Sequence, residues 1–141
     1  MAGKVLGTVL LVGFLVQAAL FGVTYRMQLE EIERVDRVSC DFLWTVRDER
    51  ELNKHMVAEL GERLNRREGY QLDVWISRQV APGIYGGPEP VSGEALRPGD
   101  RVMVNVEGER PGMNGRFLLA MRLIPPDDSL FRVRINREVT V

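Results

Sequence analysis

The stretch that decides the fold is VLGTVLLVGFLVQAALFGVTY, from Val5 to Tyr25, which holds no charged residue and lies between Lys4 and Arg26. As an α-helix rising about 1.5 Å per residue it would be roughly 31 Å long, which matches a bilayer hydrocarbon core of about 30 Å. The sequence therefore predicts a transmembrane helix over residues 1–25.

The same stretch has a second interpretation as a cleaved signal peptide. Residues 5–15 would form its apolar region, and Val16-Gln17-Ala18 is a passable cleavage motif. Two features favour a retained helix instead: only one lysine precedes the apolar run, and apolar residues continue past the motif through Leu20, Phe21 and Val23. We therefore predict a single-pass membrane anchor.

Composition limits the classes of function. The chain carries 19 Lys and Arg against 20 Asp and Glu, a balance that predicts neither a nucleic-acid partner nor strong attraction to acidic lipid. Cys40 is the only cysteine and His55 the only histidine, so an internal disulfide, a Cys/His zinc site and a Ser-His-Asp arrangement all lack residues. We expect a protein that is not an enzyme, with no cofactor, no metal and no small-molecule substrate.

Residues 26–69 are predicted to be helical. Apolar residues recur every three or four positions beyond the membrane segment, with charged residues between them, at Leu29, Ile32, Val35, Val38, Phe42 and Val46. This pattern predicts an amphipathic helix that continues the transmembrane one. Asp48 followed by Glu51 resembles a capping box, so we expect a break near residue 47 and a second helix from about Asp48 to Gly69.

Residues 70–141 are predicted to form a sheet, because the apolar period changes there from 3.6 to 2. Residues 80–99 are rich in glycine and proline, and we expect a loop without regular structure. Four strands are predicted, over 72–76, 102–106, 117–123 and 131–141. Two turns are predicted, at 111–115 and 125–128. Short connections between the later strands indicate an antiparallel meander of three to four strands.

The predicted fold is therefore α+β, with the amphipathic helix packed on the apolar face of the meander. The helix-on-sheet core is expected to contain Val35, Val38, Phe42 and Val46. Each of these four positions lies on the apolar face of the predicted amphipathic helix.

Two pairs of small residues in the apolar helix form the predicted interaction site. Gly3 with Gly7 and Ala18 with Gly22 have the four-residue spacing that lets two helices approach closely in lipid. The expected partners are membrane lipid and other copies of the chain.

Two polar motifs near the C-terminus have structural explanations that we prefer to binding sites. Asp127 and Asp128 follow two prolines, so turn chemistry accounts for them without calcium. Arg132 and Arg134 share the polar face of the last strand, where a solvated face or a charged edge is favoured over anion binding.

An apolar N-terminal helix that becomes amphipathic and leads into a small antiparallel meander is similar to type IV pilin-like proteins, and in more detail resembles the TadE-like pseudopilins. The resemblance is carried by residues 29–50, by the helix-to-strand passage over 60–74 and by Gly99-Asp100-Arg101-Val102-Met103-Val104. It implies a membrane-anchored structural subunit of a bacterial pilus-like or secretion assembly, with other copies or related pilin-like subunits as partners.

The orientation in the membrane has two indications. Arg26, Arg34 and Arg37 against Lys4 favour a cytoplasmic domain by the positive-inside rule, whereas the resemblance implies an extracytoplasmic one, which we follow. The alternative function is a single-pass membrane-tethered binding or regulatory module that acts through its β-sheet domain or the 80–99 loop. A third hypothesis is an enzyme fragment that needs a partner's residues.

Overall fold

A computed structural model describes residues 2–65, 69–93, 95–111 and 130–141. The elements in these ranges are α1 (Ala2–Glu49), α2 (Lys54–Asn65), β1 (Tyr70–Ser77), β2 (Gln79–Ala81), β3 (Ile84–Tyr85), β4 (Glu89–Pro90), β5 (Arg101–Pro111) and β6 (Leu130–Thr140). The chain divides into a first unit, Met1–Glu31 with Pro111–Phe131, and a second unit, Ile32–Arg110 with Arg132–Val141. This layout confirms the predicted α+β class.

In the first unit, α1 is apolar on nearly all sides and exposed. Its length and composition suffice to cross a membrane. The exposed apolar side chains are Val5, Leu6, Val9, Leu10, Leu11, Val12, Phe14, Leu15, Val16, Phe21 and Val23. As predicted, the helix continues without a break past this apolar run, to Glu49.

In the second unit, α1 buries a single stripe of side chains. The buried members are Val35, Ser39, Phe42, Leu43 and Val46, whose spacing of three or four keeps them on one helix face. Ser39 is accommodated there because its hydroxyl donates a hydrogen bond of 2.8 Å to the Val35 carbonyl. Val38 is only half-buried, and Ile32 is exposed.

The break between the helices lies later than the sequence predicts. Asp48 is still inside α1, and the turn falls after Glu49, where Arg50 takes a left-handed φ of 54°. The cap of α2 is Asn53, whose Oδ1 accepts a 2.9 Å hydrogen bond from the Met56 N–H. The capping box expected from Asp48 and Glu51 is therefore wrong, because an asparagine side chain satisfies the free N–H group instead.

α2 packs against β1 and is fixed to α1 at its C-terminal end. Its apolar face buries Leu60 and Leu64, while Gly61 lies close to the Leu72 side chain. The Arg34 guanidinium of α1 donates hydrogen bonds of 3.4 Å to the carbonyls of Arg63 and Leu64. A cation at these last carbonyls also interacts favourably with the helix dipole.

The main sheet has the strand order β4-β1-β5-β6. β1 and β5 are antiparallel, with Val74 opposite Val104 and Tyr70 opposite Gly108. The inner face of this sheet contains the core side chains Tyr70, Val74, Ile76, Val102, Val104, Val106, Val133 and Ile135. The alternation of buried and exposed positions along β6 agrees with the predicted last strand.

The 80–99 segment is more regular than predicted. β2 and β3 form a hairpin whose turn is Pro82-Gly83, with a φ of 77° at Gly83 as a type II turn requires. β4 pairs with β1 at the sheet edge, where Pro90 needs no N–H donor. The expectation of a loop without regular structure is therefore wrong for these residues. The predicted strand over 117–123, the predicted turn over 125–128 and, beyond Pro111, the predicted turn over 111–115 lie outside the described residues.

Candidate functional site

The four small residues predicted to mediate helix packing lie along one stripe of α1. Steps of four, eleven and four residues turn an α-helix by about 40, 20 and 40°, so Gly3, Gly7, Ala18 and Gly22 share a face. A Cβ added at any of the three glycines would meet no atom of the described residues within 4 Å, and Ala18 is exposed. Leu11 and Phe14, both exposed, lie between the two pairs on the same stripe. No residue that the structure describes covers the glycines of this stripe.

A different face of the same helix segment is covered. Thr24 and Glu31 are buried and lie seven residues apart, which places them on one side of the helix. Thr24 is about 200° around the helix from Gly22 and about 60° from Gly3 in the other direction, so the covered side borders the small-residue stripe without including it. Sequence reasoning missed this covered side, because Thr24 reads as one of the few polar residues of a membrane segment.

The predicted helix-on-sheet residues are in the protein interior rather than at an accessible site. Val35, Phe42 and Val46 are buried and Val38 is half-buried. Cys40 is half-buried with a free thiol, and His55 is exposed on α2. Among the described residues, no three His, Cys, Asp or Glu side chains are grouped to hold a metal ion.

The two arginines of β6 are paired across the sheet. Arg132 donates a hydrogen bond to the Glu109 carboxylate, and the Arg134 guanidinium lies 2.7 Å from a carboxylate oxygen of Glu107. The partner number falls by two as the arginine number rises by two, which is the pairing of antiparallel strands. The hydrogen bond and charge of Glu109 raise the pKa of Arg132 above its usual value. These arginines form part of a compensated, exposed face, and their charge is not free for an anion.

The outer face of the sheet presents an apolar row that we call the Trp75 row: Pro90, Trp75 and Met103. Trp75 is opposite Pro90 on one side and Met103 on the other, and it is 39 % exposed. Next to this row, the Tyr85 ring covers the Arg101 guanidinium at 3.8 Å from the ring centroid. The sequence already indicated an exposed tryptophan, because Trp75 stands in β1 at one of the alternating positions that otherwise hold polar residues.

A buried carboxylate fixes the loops at one end of the sheet. Asp100 is 1 % exposed and accepts hydrogen bonds from the backbone N–H groups of Gln79 and Arg97, at 3.0 and 2.9 Å. Its own carbonyl accepts from the Val141 N–H, while the Gly99 N–H donates to the Val141 carbonyl. Asp100 thereby joins the base of the β2–β3 hairpin, the 97–100 turn and the end of β6.

The β2–β3 hairpin that extends from this end is uncharged and apolar. No charged residue occurs from Gln79 to Pro88. Val80 is 75 % exposed and Ile84 is 61 % exposed, the highest exposures of large apolar side chains described in the second unit. Exposed apolar residues grouped in this way indicate an interaction surface.

The second unit also contains a small apolar cleft between its helices, which we call the α1–α2 cleft. Its volume is about 60 Å³, and its lining includes Val38, Phe42, Met56 and Leu60. Thr45 lies at its rim together with the ion pair of Glu59 and Arg63, whose charged atoms are 2.7 Å apart.

Comparisons of this chain with protein-family models, with curated proteins and with solved structures find no match.

Proposed function

We propose that this chain is a membrane-anchored structural subunit of a pilus-like or secretion assembly, of the kind formed by type IV pilin-like and TadE-like pseudopilin proteins. In this proposal the apolar part of α1 is the element through which copies, or related subunits, pack together. The chain is not an enzyme, and the α+β part is carried outside the cytoplasm by a single-pass anchor in the bacterial cell membrane.

The observation that carries the proposal is the combination of an exposed apolar helix with an open stripe of small residues. Eleven large apolar side chains between Val5 and Val23 stay exposed in the isolated chain, so they need lipid or another helix around them. Between helices in lipid the attraction comes from close backbone approach and dispersion contacts. The two small-residue pairs, Gly3 with Gly7 and Ala18 with Gly22, offer such an approach, since no atom of the described residues lies within 4 Å of a Cβ built on their glycines.

The test is self-association of the full-length chain in membranes. Gly7→Ile and Gly22→Ile should each weaken association while preserving insertion, because isoleucine is at least as apolar as glycine but holds two backbones apart. Cross-linking or a membrane two-hybrid assay measures the association. The matched control is Gly13→Ile, which changes a glycine outside the small-residue stripe. If both stripe variants associate as strongly as the parent, the helix serves only as a membrane anchor and the subunit proposal is rejected.

Orientation is tested separately by a reporter fused after Val141. The proposal expects signal from a reporter that is active outside the cytoplasm. A reporter active only in the cytoplasm would instead support the orientation that Arg26, Arg34 and Arg37 favour.

A second candidate function, a membrane-tethered binding module, is favoured by the Trp75 row. Tryptophan is enriched at binding hot spots, and Trp75 stands on the outer face of the sheet rather than in the core. In this case Trp75→Ala would abolish partner binding, whereas the glycine variants of α1 would leave it intact.

A further inference from the structure

We propose that the β2–β3 hairpin of one copy docks into the α1–α2 cleft of a neighbouring copy, giving the assembly a second, head-to-tail contact outside the membrane. This inference rests on the proposed function, because it takes the partner to be another copy of the chain. It names surfaces that the helix stripe does not use.

The hairpin has the properties of a preformed apolar knob. Ile84 and Val80 project from a short paired hairpin, and the backbone is held by the β2–β3 pairing and by the hydrogen bond from the Gly86 N–H to the Arg78 carbonyl, at 2.9 Å. The Pro82-Gly83 turn and the Asp100 carboxylate at the hairpin base restrict it further. A surface already held in its bound shape loses little conformational entropy on docking.

The cleft has the properties of a matching hole. The apolar part of its lining is formed by Val38, Phe42, Met56 and Leu60, beside the charged Glu59 and Arg63, and its volume of about 60 Å³ gives room for the branched end of one aliphatic side chain. Leaving such a cleft unfilled forfeits dispersion contacts on one side of its lining. An uncharged hairpin tip fits the apolar part of the lining, whereas a charged side chain would find Glu59 and Arg63 there already paired with each other.

Free charges beside the two surfaces are complementary. Arg97 neighbours the hairpin base, since its N–H and that of Gln79 bind the same Asp100 carboxylate, and its guanidinium forms no ion pair with a residue that the structure describes. Asp41 precedes Phe42 on α1 and lies one turn before Thr45; its carboxylate likewise has no ion-pair partner in the described ranges. Docking would bring these opposite charges to one rim, which favours correct orientation.

The symmetry of this contact suits a polymer. The knob and the hole are different surfaces of one chain, so each copy uses its hairpin on one neighbour and its cleft on the other. Such heterologous contacts do not close into a dimer; they build rings or open helical filaments.

The experiment uses disulfide trapping between full-length chains in lipid vesicles, in a Cys40→Ser background. One population carries Ile84→Cys and the other Thr45→Cys, with tags of different size. Because a disulfide needs Cβ atoms about 3.5–4.5 Å apart, mild oxidation should give mixed dimers at more than about tenfold the yield of either population alone. The matched control is Arg132→Cys with Thr45→Cys, which should give only background, because Arg132 lies on the outer sheet face.

The outcomes separate this inference from the proposed function. A Gly22→Cys variant reports packing of the apolar helices in the same vesicles. Gly22 cross-links without Ile84–Thr45 cross-links would overturn the hairpin contact and leave the subunit proposal standing; loss of both would reject both. Efficient Ile84–Ile84 cross-linking in a single population would also overturn it, since that shows a symmetric contact between hairpins.

A charge substitution gives an independent readout. Ile84→Glu should lower the yield of higher oligomers by at least about tenfold, because Arg63 in the cleft lining already pairs with Glu59, so a second carboxylate there would be desolvated beside a like charge. Ile84→Val keeps an apolar branched side chain and should retain most of the yield. Both variants should fold like the parent, since Ile84 is exposed. Equal oligomer yields from both variants would contradict the proposal.

Discussion

Residues 5–23 and residues 32–49 of α1 belong to one helix, yet they place their apolar side chains differently. The first segment is apolar on nearly all sides, and its large apolar side chains are at least half exposed except for Leu20, which is half-buried. The second confines its buried side chains to a stripe from Val35 to Val46 and carries charged residues elsewhere. A helix apolar all round needs an apolar environment, whereas a striped helix needs only one packed face.

This difference assigns separate tasks to the two segments. Removing an apolar side chain from the striped segment should lower the free energy of unfolding. The same removal from the uniformly apolar segment should change membrane insertion or association and leave folding unaffected. Substitutions in matched pairs therefore test the division directly.

The largest effect is expected for a phenylalanine pair. Phe42 is 9 % exposed and Phe14 is 71 % exposed. Phe42→Ala should lower the free energy of unfolding by about 3 to 5 kcal/mol, as core truncations of this size do. Phe14→Ala should leave it nearly unchanged. Denaturant unfolding of the full-length chain in detergent measures both values; equal losses would show that the two segments do not differ in packing.

The next effect concerns the buried carboxylate of Asp100. Asp100→Ala removes the acceptor of two backbone N–H groups and should cost about 2 to 4 kcal/mol, because each donor is left unsatisfied. Asp73→Ala, at an exposed position of β1, is the matched control and should cost little. If the two variants unfold at the same denaturant concentration, Asp100 does not join the hairpin base to the sheet.

A smaller effect is expected for a glycine pair. A Cβ on Gly108 would overlap the Tyr70 ring opposite it and come within 2.8 Å of the Gly69 carbonyl oxygen. Gly108→Ala should therefore cost about 1 to 3 kcal/mol, as overpacking does. Gly7→Ala adds the same methyl group where no atom lies within 4 Å and should not lower stability. Thermal melts should show a lower melting temperature for Gly108→Ala and an unchanged one for Gly7→Ala.

Apolar periodicity predicted the continuous α1 helix, β1, β5 and β6 well, because burial of one face requires regular spacing. It placed the start of α2 wrongly, since several residues near position 50 are able to cap a helix and only the tertiary structure selects Asn53. The short strands within 80–99 were missed because their pairing depends on the Pro82-Gly83 turn and on an edge position for Pro90, not on hydrophobic alternation.

The candidate surfaces were only partly accessible to sequence reasoning. The small-residue stripe follows from helical spacing alone and needed the structure only to show that it is open. The α1–α2 cleft could not be predicted, because the spacing of Phe42 and Leu60 is that of ordinary core residues and does not show that the two helices leave space beside them. The exposure of Val80 and Ile84 likewise depends on a hairpin that apolar alternation does not reveal.

The smallest effect concerns the ion pair that joins the striped segment of α1 to β6. Arg137 donates two hydrogen bonds to the Asp36 carboxylate, at 2.7 and 2.9 Å, and this hydrogen bonding lowers the pKa of Asp36 below its usual value. A carboxyl with a lower pKa in the folded state stabilises the fold fully above its unfolded pKa of about 4 and loses that contribution as the pH falls through the folded value.

Asp36→Asn should therefore be slightly less stable than the parent at pH 7, and the difference should disappear at pH values below the folded pKa. Both groups are partly exposed to solvent, so the effect at pH 7 should be smaller than for the buried substitutions above and should shrink further in high salt. Denaturant midpoints of the parent and Asp36→Asn across this pH range measure it, with Asp41→Asn as the control because Asp41 lacks an ion-pair partner among the described residues. An Asp36→Asn difference that persists unchanged at low pH would show that the charge pair does not hold α1 to β6.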